Sequence, residues 1–314
     1  MSDQASAFAL GIDIGGTKIA AGIVDCRNGS VLLRRETATD RSQGTTVTLA
    51  ATVELAQTLL CIANAEGWLI RGIGLGVPEV VDPEGRIGSA HVIGWTDRAV
   101  REAFRGVAPI TIEADVRAAA RAEAWFGAGR NAKTFAYITI GTGISSCLVI
   151  DGEPFPGERG GALVLASGTQ TVRCAACGKV TTFVLEEFAS GPALARRLQE
   201  TTGRLTVRAE DVLTAAQRGD AAAVEIVTSA ARALGNAAGQ LCNVLDPALL
   251  VIGGGLGSVD GPFWDVFVQS TRDHIWSPDT RSLPIVHAGF GADSGMIGAA
   301  LATWRRLSSS QRGA

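Results

Sequence analysis

Three glycine-rich turns carry the residue types that could do chemistry: GIDIGGTK at residues 11–18, GTGIS at 141–145 and VIGGGLG at 251–257. Each follows an apolar run of β type. Glycine has no Cβ and tolerates positive φ, so backbone N–H groups can crowd around an anion at such turns. One such turn is an ordinary hairpin or strand-to-helix link. Three of them, spread over two halves of a chain, point to one nucleotide gripped from two sides by a two-lobed protein. Two familiar phosphate motifs are excluded. A dinucleotide fold needs G-x-G-x-x-G between strand and helix, whereas residues 11–16 read Gly-Ile-Asp-Ile-Gly-Gly. A P-loop needs Lys followed by Ser or Thr and then a helix; here Thr17 precedes Lys18 and a strand follows. What remains is a β-hairpin phosphate turn with Asp13 at the strand end, placed to hold a hydrated Mg²⁺. A second acid, Asp115, follows the short strand Pro109 to Glu113 and opens a helix. That position suits either a reactive carboxylate at a cleft floor or a plain helix cap.

The elements that must position these residues repeat in order. Phe8 to Asp13 and Ile19 to Asp25 read as strands joined by the first turn, and Val31 to Leu33 completes a meander. A helix is expected over Thr46 to Glu66, a buried strand over Gly72 to Val77, another over Pro109 to Glu113, and an alanine-rich helix over Val116 to Phe126. The second half begins the same way, with strands over Thr134 to Ile140 and Ser145 to Ile150. Helices follow over Gly191 to Leu198, Ala209 to Gln217 and Ala221 to Leu245, then a strand at Leu249 to Ile252 and a closing helix over Ala292 to Leu307. The segment 151–185 fits neither half and reads as an inserted loop. This duplicated pattern predicts an α/β protein of two lobes, residues 1–113 and a larger 114–291, with the 292–314 helix packing back on the first.

Composition limits the function classes. The chain has 314 residues, 46% of them hydrophobic and 19% charged, which describes a folded, fairly apolar globule large enough for two cores. A formal net charge of −3 offers nucleic acid or an anionic membrane no electrostatic attraction. No run approaches the ~18 uncharged apolar residues of a spanning helix, and the first residues lack the basic start of a signal peptide. Six scattered cysteines suit buried reduced thiols in the cytoplasm better than a disulfide framework.

LGIDIGGTKIAAGIVD, GLGVP with VDPEG, EADVRAAARAEAWFGAGR, YITIGTGIS, LEEFASG, NVLDPALLVIGGG and SGMIGAALA together resemble the ROK family. Its sugar kinases have the two-lobed actin/hexokinase-like (ribonuclease H-like) ATPase fold, with nucleotide and substrate in the interlobe cleft. Its repressors carry an N-terminal helix-turn-helix, for which residues 1–10 leave no room, so the kinase branch is expected. The resemblance implies ATP and Mg²⁺ as cofactors, a small-molecule polyol as substrate, and a homodimer as a common state. It implies that Gly15, Gly16, Thr17 and Lys18 line the phosphates, that Gly141, Thr142 and Gly143 grip them from the other lobe, and that Gly254 and Gly255 let the adenosine lie against the backbone. Asp13 would hold the metal through water. Asp115 would take the proton from the attacking hydroxyl.

The acceptor positions depart from the family pattern. Ala114 stands where relatives pair an Asn with the catalytic Asp, His91 where an Asn precedes the P-G-W turn, and Glu79 where a Gly follows the cleft Pro. The family's G-E-x-G-H stretch reads Leu163-Val164-Leu165-Ala166-Ser167, losing a sugar-binding Glu and a His that also binds zinc, while Glu186 keeps its sugar-contact position. Cys174 and Cys177 survive from the zinc motif without a full set of four ligands, so no zinc is expected. Sites built to hydrogen-bond hydroxyls discriminate by roughly 10⁴. The substituted set therefore predicts a kinase for the hydroxyl of a sugar or sugar-like cyclitol, with glucose disfavoured in its usual pose. The competing reading is a non-catalytic binding or regulatory protein that kept the fold.

Overall fold

A computed structural model describes residues 7–39, 44–173, 180–204 and 208–310. The chain divides into two compact units, one of Met1–Lys133, Cys147–Ala162 and Ala292–Ala314, the other of Thr134–Ser146 and Leu163–Gly291.

In the first unit, β1 (Phe8–Ile14), β2 (Lys18–Asp25) and β3 (Ser30–Ala38) form the antiparallel meander; α1 (Thr45–Ala65) leads to β4 (Ile70–Val77), and α2 (Asp97–Ala103) precedes β5 (Ile110–Ala114). The sheet order is β3-β2-β1-β4-β5, with β4 parallel to both β1 and β5. The alternation in β4 explains how both faces are covered. Successive strand residues point to opposite faces, so Ile73, Leu75 and Val77 go one way and Gly72, Gly74 and Gly76 the other. The bulky side joins Leu10, Ile12 and Ile14 of β1 and Leu49, Ala56, Leu59 and Ala63 of α1 in one buried core. On the glycine side lies the C-terminal helix α9 (Ser294–Ser310). A Cβ on Gly11 would collide with the Met296 carbonyl, and one on Gly74 with the Ala299 carbonyl. The helix backbone therefore rests directly on the strands. The first helix after β5, α3 (Asp115–Trp125), lies as tightly against α9, since a Cβ on Gly298 would meet the Ala118 carbonyl. This contact ties α3 to the first unit, whose first segment runs to Lys133.

The second sheet has the order β12-β11-β6-β7-β8, from β6 (Thr134–Ile140), β7 (Ile144–Ile150), β8 (Glu153–Pro154), β11 (Leu249–Gly253) and β12 (Ile285–His287). Its strands β6, β11 and β12 run parallel. The core of the second unit gathers Ile138 and Ile140 of β6 with residues of α4 (Leu185–Ala189), α5 (Gly191–Thr202), α6 (Ala209–Gln217), α7 (Ala221–Leu245) and α8 (Pro262–Asp273). The expected loop at 151–185 is in part a hairpin, β9 (Thr169–Arg173) against β10 (Val180–Val184). Cys174 and Cys177 lie outside the described residues. Contrary to the sequence expectation, α1 is long and apolar enough by composition to cross a membrane; its Thr48, Leu49, Thr52, Ala56, Leu59 and Ala63 are buried in the protein.

Candidate functional site

The β1–β2 turn is closed by the Gly15 N–H donating to the Lys18 carbonyl at 2.9 Å. Thr39 braces it from outside: its hydroxyl donates to the Gly15 carbonyl at 3.0 Å and its N–H to the Thr17 carbonyl at 2.9 Å. Gly15 and Gly16 are half-buried, whereas Thr17 and Lys18 are exposed. The Lys18 ammonium is paired with Glu36 at 3.3 Å. Glu36 also binds Arg34, which reaches Asp293 ahead of α9. Exposed pairs of this kind contribute less than about 1 kcal/mol, so an arriving anion can recruit Lys18 at small cost.

Two carboxylates stand at the carboxyl ends of β1 and β5, which flank β4 in the sheet. Asp13, next to last in β1, lies beside Gly76 of β4 and below the first turn of α9, where a Cβ on Gly295 would sit 2.6 Å from the carboxylate. Glycine at 295 is what admits Asp13 to the positive end of the helix. Burial pushes the Asp13 carboxyl up to about 7, with the Asp115 charge adding and Lys18 opposing. Asp115 is the first residue of α3, after Ala114, and is thus not the cap itself. Burial pushes it up to about 6, against the Val116 N–H and Arg117, while the Glu79 charge pushes further upward. The Val116 N–H donates to Asp115 Oδ1 at 2.6 Å.

Arg117 fixes the corner that carries Asp115. Its guanidinium takes Glu113 at 2.5 Å and donates to the carbonyls of Val81 at 2.6 Å and Gly160 at 3.1 Å. Arg121, one turn on, binds Glu153 at 2.7 Å, which also pairs with Arg305. Neither arginine was singled out in the sequence, because charges on a helix ordinarily face water.

Glu79 does something other than what the sequence suggests. Its carboxylate is buried, 7% exposed, and both oxygens serve its own chain. Oε2 accepts from the Ser89 hydroxyl at 2.6 Å and the His91 N–H at 2.8 Å. Oε1 accepts from the N–H groups of Val92 at 2.8 Å, Ile93 at 2.9 Å and Gly94 at 3.3 Å. Burial pushes the carboxyl up, but these donors outweigh it and hold the group below its usual range. Five donors of its own chain thus engage both oxygens of Glu79, a residue expected among the acceptor positions. The His91 side of this loop is exposed, and Ala114 is buried and apolar.

In the second unit, the GTG turn between β6 and β7 is closed by Gly141 N–H to Gly143 O at 2.9 Å, and Gly191 N–H donates to the Gly141 carbonyl at 2.9 Å. Thr142 is exposed. The Glu186 carboxylate accepts the Ile144 N–H at 2.7 Å, so this candidate contact also supports the turn. Gly254 has φ 81 and its Cβ position is filled by the Ile140 carbonyl. That carbonyl accepts the N–H groups of Leu256 at 2.9 Å and Gly257 at 3.2 Å. A Cβ on Gly141 would lie 3.7 Å from the Gly255 nitrogen, so the GTG and GGG turns adjoin at the carboxyl ends of parallel strands, the usual ligand edge of such sheets. His287, which no sequence pattern marked, braces the second turn: its Nδ1 lies 2.9 Å from the Gly257 carbonyl and its ring packs on Trp264. Val164 is 58% exposed, next to Leu163, whose φ is 59 and whose carbonyl takes the Ser146 hydroxyl at 2.5 Å.

The ROK family model matches residues 9–305. The chain is 28% identical to the glucokinase of Halalkalibacterium halodurans, over 100% of this chain and 99% of that one. It is 30% identical to the N-acetylmannosamine kinase of Yersinia pseudotuberculosis, over 95% and 98%. Among solved structures, the ROK family glucokinase of Streptomyces griseus, in complex with glucose and AMPPNP, is similar with a TM-score of 0.75 at 27% identity, covering 93% of this chain and 98% of that one.

Proposed function

Because this chain belongs to the ROK family, we infer that it is a carbohydrate kinase that transfers the γ-phosphoryl group of ATP to a hydroxyl of a sugar or sugar-like polyol. The observation that carries the reading is the pair Asp13 and Asp115, two carboxylates raised chiefly by burial, the Asp115 charge adding to the shift of Asp13, beside a glycine hairpin turn with a lysine. Phosphoryl transfer asks little covalent chemistry of the protein and much positioning. A carboxylate with a pKa of about 6 is mostly ionised at neutral pH and basic enough to accept a hydroxyl proton. As the substrate oxygen attacks phosphorus, Asp115 takes its proton and ADP leaves. Gly15, Gly16, Thr17 and Lys18 bind phosphate oxygens in this proposal, as do Gly141, Thr142 and Gly143, while Gly254 and Gly255 flank the adenosine.

Mg²⁺ fits the donors present. Asp13 offers hard carboxylate oxygens in a half-buried position where a second negative charge already raises its pKa, so a divalent cation would relieve it. Asp13 would hold the ion through water, and the ion would neutralise phosphate charge.

The acceptor class follows from what the pocket lacks. Ala114, Val164 and Ser167 replace groups that would pair with hydroxyls, and Glu79 is spent on its own loop. A carbocyclic, sugar-like acceptor with an exocyclic primary alcohol suits that set better than glucose. The test is phosphate transfer from ATP to glucose, N-acetylmannosamine and a carbocyclic analogue, assayed side by side. Preference for the analogue is expected. Efficient glucose phosphorylation would overturn the acceptor class, and no transfer to any polyol would favour a binding protein instead.

A further inference from the structure

Five donors converging on one buried carboxylate is a costly arrangement to build for a loop. The N–H groups of residues 91–94 point together as they do in anion-binding nests, and here the anion is supplied by the chain itself, at Glu79. We propose that Glu79 is a positioning residue for acceptor recognition: its carboxylate fills the nest and holds residues 89–94 in the conformation that presents His91, without touching the substrate. This rests on the reading of the protein as a polyol kinase.

The geometry supports each part. Both oxygens are used, Oε2 by Ser89 and His91 and Oε1 by Val92, Ile93 and Gly94. Charge-assisted hydrogen bonds are the strong ones, and together these five leave the carboxylate no free face for a sugar. The residue whose own N–H is held, His91, has an exposed side chain, so fixing its backbone fixes where an imidazole can reach. Glu79 has a second, electrostatic effect. Its charge raises Asp115, which also faces Arg117 on its own helix and, through Asp13, the first hairpin with Lys18. Glu113 stands two residues before Asp115 but is paired with Arg117 and Arg121. The loop anchor and the base are thereby linked.

The test exploits the shape of the vacated site. Glu79→Ala removes what amounts to one acetate ion and leaves the nest open. Acetate is expected to restore hydrogen-exchange protection at the amides of 91–94 and to raise the melting temperature of this variant, whereas acetamide, isosteric but neutral, is not. This arm needs no activity and holds even if the kinase reading fails. In the kinetic arm, Glu79→Ala should raise the acceptor KM roughly tenfold to a hundredfold with a smaller fall in kcat, and acetate should reverse it. The acid limb of kcat/KM should also move to lower pH, because a negative charge facing Asp115 is gone. In a His91→Ala background the KM effect of Glu79→Ala should vanish. Should Glu79→Ala fail to fold, Glu79→Gln serves: its amide oxygen can keep Val92, Ile93 and Gly94, while its NH₂ opposes the His91 N–H, so protection should be lost at His91 alone. Equal effects of acetate and acetamide, or a KM effect that persists unchanged without His91, would overturn the proposal.

Discussion

Replacing Asp115 by Asn should make the protein more stable while removing most of its activity. Asp115 is raised from its ordinary 3.8 to about 6, chiefly by burial. Ionising it in the folded protein therefore costs about 3 kcal/mol more than ionising it in the unfolded chain. The sign follows from proton binding. Between pH 3.8 and about 6 the folded state holds the proton and the unfolded state does not, so stability falls as pH rises through that window and is flat above it. Asn is neutral at every pH, resembles the protonated acid in shape, and keeps an oxygen for the Val116 N–H. At pH 7.5 the variant should gain about 2–3 kcal/mol, with a further part from Asp13, which loses the charge that raises it. At pH 4 the gain should nearly vanish. Urea unfolding of both proteins at the two pH values measures this, and a turnover assay should show a loss of roughly 10²–10⁴ with nucleotide affinity little changed. A variant no more stable at pH 7.5, or one whose gain is the same at pH 4, would refute the burial argument. Retained turnover would remove Asp115 from the role of base.

Gly298→Ala should separate α3 from α9, since the new Cβ meets the Ala118 carbonyl. Thermal unfolding should show a loss of at least about 1–3 kcal/mol, with a fall in kcat because Asp115 and Asp13 each lean on one of these helices. Gly254→Ala combines an unfavourable φ with a collision at the Ile140 carbonyl; nucleotide KM should rise well before acceptor KM does. Metal analysis should find no stoichiometric zinc, and circular dichroism should be unchanged by chelator; one tight zinc per chain, lost together with the fold, would point to a ligand set that includes Cys174 and Cys177.

What the sequence made legible was what lies close along the chain. The β1–β2 hairpin, the GTG turn, and the helices α6 and α7 follow from local spacing, and Asp13 and Asp115 could be picked out because one lies at the end of a strand before a glycine turn and the other opens a helix directly after a strand. What stayed hidden depends on partners far away in sequence. Glu79 reads as one more acid in a polar loop, and nothing local reveals that five donors between residues 89 and 94 will saturate it. Arg117 looks like a surface charge until Val81 and Gly160 supply carbonyls. His287 lies 30 residues from the carbonyl it braces. The packing of α3 is hidden for the same reason, because only the distant helix α9 shows where it lies.

That helix also bears on how the protein is made. The glycine side of β1 and β4 is a channel shaped for a helix backbone, and the segment that fills it, Ser294–Ser310, leaves the ribosome long after those strands. Strands β1 to β5 must wait, with the channel open, while residues 115–293 are synthesised. Long-range closure of this kind is slow and leaves apolar surface exposed in the interim. A nascent chain stalled before residue 294 would keep its glycine hairpin without the helix end beside Asp13, so that carboxylate gains its surroundings only once α9 has been made.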